Sequence, residues 1–120
     1  MLNVGIDAVE ISRIRRVYEK FGERFLSRVY TEREVARYRG RINELAARFA
    51  AKEAVSKALG TGLHGISWRE VEVLPNPRGK PLVYLYGRAR QRASDLGFSE
   101  LAISLTHTQE LAMALSLIHI

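Results

Sequence analysis

Apolar and polar positions alternate at the start of the chain. Leu2, Val4 and Ile6 share one side, which predicts a strand ending near Asp7. The period then changes. "RIRRVYEK" reads as a short helix through Lys20, with Ser12 as its N-cap, and Gly22 breaks it. "ERFLSRVY" is a second helical piece. Thr31 and Glu34 fit a capping box that opens a helix toward Tyr38, ended by Gly40. From about Ile42 to Leu59 runs the longest helical pattern, rich in alanine, with Gly60 and Gly62 as its stop. Ala50, Ala54 and Ala58 recur every four residues, a ridge that another element can approach closely. Phe49, Glu53 and Lys57 form the neighbouring line.

Beyond the glycines the period returns to two. "ISWREVEVLP" and "LVYLY" read as strands joined by the turn "NPRGKP", hence a hairpin. "GRARQRASDLG" is a helix ended by Gly97. "ELAISLTHT" and "ELAMALSLI" form a second hairpin with its turn near Thr108 and Gln109. Helices gather in the first half and strands in the second, with one strand at the start. The expected fold is α+β: a small, mostly antiparallel sheet packed by the long helix.

Composition narrows the class. The 120 residues, 47% of them apolar, suit one domain spanning residues 1–120. There is no cysteine, which excludes disulfides, thiolate metal sites and thiol nucleophiles. The start lacks the pattern of a signal peptide, and "LAMALSLI" is too short to span a bilayer. A soluble cytoplasmic protein is expected.

The net charge of +6 is concentrated. Residues 13–41 hold ten Lys/Arg, nine of them Arg, against four Asp/Glu, and the rest of the chain is balanced. Such a segment attracts an anionic partner: nucleic acid, an acidic membrane or an acidic protein. A solvated basic face without a partner is the plainer reading.

Candidate chemistry centres on "FAAKEAVSKALG". Glu53 and Lys57, one turn apart in an apolar helix, read either as a surface ion pair or as a metal and phosphate site. Asp7, at the predicted strand end, could join Glu53 as a second oxygen ligand for a hard cation such as Mg2+. The glycines of "GTG" would leave backbone N–H groups open to an anion. Plainer readings stand beside other residues. Lys52 reads as a solvated charge, Arg48 as a phosphate contact or a helix flank, and Lys80 as a coenzyme contact or a turn residue. His107 reads as a polar residue at a hairpin turn, and Trp68 and Tyr84 as core.

"GIDAVEISRI" followed by "RFAAKEAVSKALGTG", then "GKP" and "SLTHT" in order, resembles the holo-acyl-carrier-protein synthases of the 4'-phosphopantetheinyl transferase superfamily. The resemblance covers nearly the whole chain, and the length is that of the short, trimeric members. It implies transfer of 4'-phosphopantetheine from coenzyme A to a serine of apo-acyl carrier protein, with release of adenosine 3',5'-bisphosphate. It implies that Asp7 and Glu53 hold Mg2+ with the coenzyme A pyrophosphate, and that Glu53 or a water takes the serine proton. Lys57 would offset charge on the leaving phosphate. His107, Gly60, Lys80 and Arg48 count as coenzyme contacts, and Arg13 as a docking residue for the acidic carrier protein. Arg16, Arg24 and Arg28 are neighbours without a matched role. The segment from Tyr38 to Glu44 is shorter than in some members, which leaves any phosphate role of Arg39 and Arg41 open. A homotrimer with sites at subunit boundaries is the expected assembly, with no nucleic-acid or membrane partner.

Two other readings remain. A small basic RNA-binding module would need stacking aromatics on an exposed sheet and no paired carboxylates. A member that only binds coenzyme A would not need the intact set of Asp7, Glu53 and Lys57.

Overall fold

Strand β1 (Leu2–Glu10) runs past its expected end at Asp7, because an antiparallel partner carries it on. That partner is β5 (Leu111–His119), paired from Leu2↔His119 to Glu10↔Leu111. The computed structural model describes residues 1–120. β1 leads without a break into α1 (Ile11–Phe21), which has no side-chain N-cap. Ser12 does not cap it. The Ile11 N–H is held instead by the Glu110 carbonyl at 2.8 Å, from the turn before β5. Gly22, at φ 49°, ends α1 and starts α2 (Glu23–Val29). The Thr31–Glu34 capping box forms as expected and opens α3 (Glu32–Tyr38).

The long helix α4 (Ile42–Ala58) is the centre of the core. Its Ala50, Ala54 and Ala58 ridge is fully buried against β1 at Gly5. A Cβ on Gly5 would strike the Ala54 carbonyl oxygen and lie 2.8 Å from the Ala58 nitrogen. Strand and helix backbones are therefore nearly in contact, closer than any larger residue permits.

The strand expected over "ISWREVEVLP" begins only at Val71. Before it, Trp68–Glu70 form a 3-10 turn, closed by a Ser67–Glu70 capping box that spends these backbone groups locally. β2 (Val71–Pro75) and β3 (Pro81–Leu85) make the first hairpin, and α5 (Gly87–Leu96) follows. β4 (Glu100–His107) and β5 make the second.

One sheet was expected and two are found, both antiparallel: β1-β5-β4 and β2-β3. A groove of about 420 Å³, lined by Lys80–Tyr84 and Glu100–Ile103, lies between the neighbouring strands β3 and β4. The inner face of β1-β5-β4 covers α4 with Gly5, Val9, Ala112, Ala114 and Ile118. Its outer face exposes Leu2, Val4, Ile6, Leu111, Met113, Leu115 and Leu117. No helix is long and apolar enough to cross a membrane.

Candidate active site

Asp7 lies on the inner side of β1, two residues after Gly5, where strand and helix are closest. The line of Glu53 and Lys57 on α4 rises beside it. The Lys57 ammonium donates to Asp7 Oδ1 and to the Ile6 carbonyl, each at 3.1 Å. Glu53 lies close enough to Asp7 for the Asp7 charge to act on it. Partial burial, then the Asp7 charge, pushes the Glu53 carboxyl above its usual range, against the opposing pull of Lys57 and Arg13. The expected trio thus converges, although Asp7 sits within the strand and not at its end.

This donor set fits a hard divalent cation. It consists of two carboxylates brought together, with no nitrogen or sulfur ligand and no third acidic or histidine side chain. Mg2+ commonly takes one or two carboxylates and completes its shell from water and substrate phosphates. Residues Asp7 and Glu53 would hold it.

The other candidates are scattered. Arg48 precedes Glu53 by five residues, about 140° around the helix. It is buried on the α3 side, where Nη2 donates to the Tyr38 hydroxyl at 2.7 Å. Its guanidinium carbon lies 4.1 Å from the Tyr38 ring centre, and Nε has no partner. Burial pulls its pKa down from the usual guanidinium value. Arg39 pairs with Glu23, and Arg41 with Glu44.

Gly60 follows α4 at φ 81°. The open "GTG" N–H groups are not found at Gly60 and Thr61. Gly60 N–H is bonded to the Lys57 carbonyl at 2.9 Å and Thr61 N–H to the Ser56 carbonyl at 3.2 Å, both spent on closing the helix. Lys80 ends the β2–β3 turn, its N–H bonded to Asn76 Oδ1 at 2.9 Å.

His107 is exposed at the end of β4. The register places it opposite Ala112, which faces Val9, so β5 lies between it and β1. Two strand spacings and two residues of rise put it on the order of 12 Å from Asp7. One chain does not bring it to the trio.

Two plain readings fail. Lys52 is not solvated. It is fully buried, donating to Glu34 Oε1 at 2.7 Å and to the Trp68 and Val71 carbonyls. Tyr84 is not core: it is 39% exposed beneath the Arg33 guanidinium. Trp68 is partly buried and stacks on Phe49, ring centres 4.5 Å apart.

Sequence reasoning also missed Arg92 of α5. Its Nε donates to the Leu59 carbonyl at 2.9 Å, and a Cβ on Gly60 would lie 3.2 Å from its Nη2. It caps the helix that carries Glu53 and Lys57, and nothing local in the sequence announces it.

The basic segment is largely on the surface. Arg13, Arg15, Arg16, Lys20, Arg24 and Arg28 are exposed and form no ion pair. Val17, Phe21, Arg24, Phe25 and Arg28 line a cleft of about 240 Å³ between α1 and α2.

Similarity to known proteins runs nearly the whole length of the chain. The holo-[acyl-carrier-protein] synthase of Herpetosiphon aurantiacus is 47% identical, with 95% of each chain covered. The crystal structure of the holo-[acyl-carrier-protein] synthase from Neisseria meningitidis superposes with a TM-score of 0.90 at 31% identity, covering 98% of each chain. That of the Helicobacter pylori enzyme in complex with coenzyme A gives 0.88 at 28% identity, covering 97% of this chain and 99% of that one. Residues 3–115 match the family description itself, and the chain belongs to the 4'-phosphopantetheinyl transferase superfamily.

Proposed function

We propose that the protein is a holo-acyl-carrier-protein synthase, acting as one domain of residues 1–120 in fatty acid biosynthesis in the cytoplasm. It transfers 4'-phosphopantetheine from coenzyme A to a serine hydroxyl of apo-acyl carrier protein and releases adenosine 3',5'-bisphosphate. The observation that carries this is the convergence of Asp7, Glu53 and Lys57 where β1 meets α4. It occurs in a chain whose relatives of that name it matches over nearly their whole length.

Asp7 and Glu53 would hold Mg2+, with the substrate pyrophosphate and water able to complete its shell. The chemistry such an ion supplies when bound is polarisation of a phosphoryl oxygen and neutralisation of its charge. Glu53 accepts the serine proton directly or through one water. The serine oxygen bonds to the β-phosphorus as the pyrophosphate P–O bond breaks. Lys57 meets the negative charge that develops on the leaving phosphate. Lys80 and His107 contact the coenzyme, whereas the Arg48 guanidinium is held by Tyr38 and the Gly60 N–H is spent on closing α4.

The separation of His107 from Asp7 within one chain supports a site shared between copies. So does the outer face of β1-β5-β4, a contiguous aliphatic surface of the kind that marks a protein interface. A homotrimer with one site per boundary satisfies both. The carrier protein docks on α1 and α2. Arg13 is exposed there and close enough for its charge to act on Glu53. The α1–α2 cleft offers arginines around apolar walls, suited to an acidic partner with apolar side chains.

The RNA-binding alternative expects aromatic side chains on the exposed sheet face. The outer positions of β1, β5 and β4 carry no Phe, Tyr or Trp. The direct test is intact-mass spectrometry of an apo carrier protein after incubation with the protein, coenzyme A and Mg2+. Addition of one phosphopantetheine group is expected. Unchanged mass with several folded carriers would overturn the assignment.

A further inference from the structure

The Lys57 side chain is half exposed, yet its ammonium does not stand free. It is turned back onto β1, where it rests on two acceptors at once, the Asp7 carboxylate and the Ile6 carbonyl. Two acceptors at the same 3.1 Å make a formed seat for a cation, beyond what one loose surface pair provides. The seat includes the same carboxylate that the proposed Mg2+ uses. The Asp7 side chain is only 13% exposed, so little water is available to neutralise it in place of a cation. Lys57 is 51% exposed and its stem is flexible, so its head can leave without opening the core. No other basic side chain pairs with Asp7.

An ammonium and a divalent cation repel, and an ammonium offers only donors. Both cannot sit on Asp7 without loss. We propose that Lys57 is a placeholder cation: it neutralises Asp7 when no divalent ion is bound, and passes to the substrate pyrophosphate when the ion takes Asp7. This rests on the reading of Asp7 and Glu53 as the metal carboxylates.

The exchange couples two ligands. A divalent ion arriving alone must displace Lys57 into water. Arriving with coenzyme A, it displaces Lys57 onto a phosphate, where the ammonium regains a partner. Metal and coenzyme A therefore bind cooperatively beyond their direct contact, and the coupling is reciprocal. The protein holds metal weakly until the substrate is present.

The test uses Mn2+ as the probe, with free Mn2+ read by its electron paramagnetic resonance signal. Affinity is measured with and without coenzyme A for the wild type and for Lys57→Met. Without coenzyme A, Lys57→Met should bind Mn2+ about tenfold more tightly, in the usual range of coupling between sites. With coenzyme A the gain should vanish or reverse, so that the coupling between the two ligands drops about tenfold. Lys57→Gln should repeat the pattern, and circular dichroism checks that both variants fold. Equal tightening with and without coenzyme A would identify simple charge repulsion and overturn the proposal, as would no tightening at all. No Mn2+ binding in any mixture would remove the metal reading itself, an outcome distinct from a failure of the exchange alone.

Discussion

Lys52 Nζ lies 2.7 Å from Glu34 Oε1, and both side chains are wholly removed from solvent. Glu34 also accepts the N–H of Thr31 at 2.9 Å and that of Val73 at 2.8 Å. One carboxylate thus ties the start of α3, the middle of α4 and strand β2 together. Burial pulls the Lys52 pKa down and the Glu34 charge opposes that pull. Removing one partner leaves the other charge buried alone, so Lys52→Ala should cost about 3–5 kcal/mol. Lys52→Met combined with Glu34→Gln removes both charges, and should recover most of that loss. Urea unfolding of the three proteins measures it.

Asp7→Asn and Glu53→Gln should each lower transfer by roughly a hundredfold or more, the scale of losing a group that stabilises transition-state charge. Both should leave the fold intact. Rates across a Mg2+ titration decide this. Near-wild-type turnover at low Mg2+ in either variant would remove that residue from the metal site. Lys57→Ala should slow transfer while divalent metal still binds, since an ammonium is not a ligand.

Gly5→Ala puts a methyl group against the Ala54 carbonyl and the Ala58 nitrogen. The backbone of α4 cannot yield as a side chain tip could, so about 1–3 kcal/mol should be lost to overpacking. β1 must also shift outward, carrying Asp7 from Glu53, so turnover should fall by more than stability alone explains. Rates taken at a temperature where the variant is fully folded separate the two effects.

Glu70 caps α5 from a distance. Its carboxylate accepts the backbone N–H of Arg88 and that of Ser67, the latter at 2.6 Å. Burial pushes this carboxyl up, but the two backbone donors and the Arg88 charge outweigh it and hold the pKa below the usual carboxylate value. A lowered folded pKa means that the stabilisation is present above the unfolded pKa and lost as pH falls through the folded one. Glu70→Gln should therefore cost about 1 kcal/mol at neutral pH, as for other helix caps. Thermal melts from neutral to strongly acid pH should show the difference from wild type closing only below the ordinary carboxylate range.

Ile6 and Leu115 face each other across β1 and β5 on the outer, exposed side of the sheet. Leu115→Glu should give a monomer by light scattering, with helical content retained and transfer lost. Mixing Glu53→Ala with His107→Ala chains should restore activity where good residues meet at a boundary. Verified mixed trimers that stay inactive would count against a shared site.

Local signals were legible and distant ones were not. The Thr31–Glu34 capping box spans a single turn, and its residue types specify it. The alanine ridge announced a close approach, and Gly5 proved to be what approaches. Lys52 reads as solvated in the sequence because its partners, Glu34, Trp68 and Val71, lie on other elements. The full length of β1 was hidden for the same reason: β5 sets it from the far end of the chain. Asp7 and Glu53 could be offered as a pair from their residue types alone, but only the family resemblance favoured the pairing, since spacing does not say which strand crosses which helix turn. The splitting of the strands into two sheets depends on how the two hairpins are placed around α4, which no local pattern encodes.

The pairing of β1 with β5 also sets an order of events during synthesis. β1 leaves the ribosome early, and every helix is made before its strand partner exists. Closing so long a loop is entropically costly and slow, so the helices can form while β1 waits. Asp7 is locked into register only when β5 arrives, a strand that carries none of the proposed site residues. A ribosome stalled before Leu111 should therefore hold a chain with its helices formed and its amides from Leu2 to Glu10 still open to exchange.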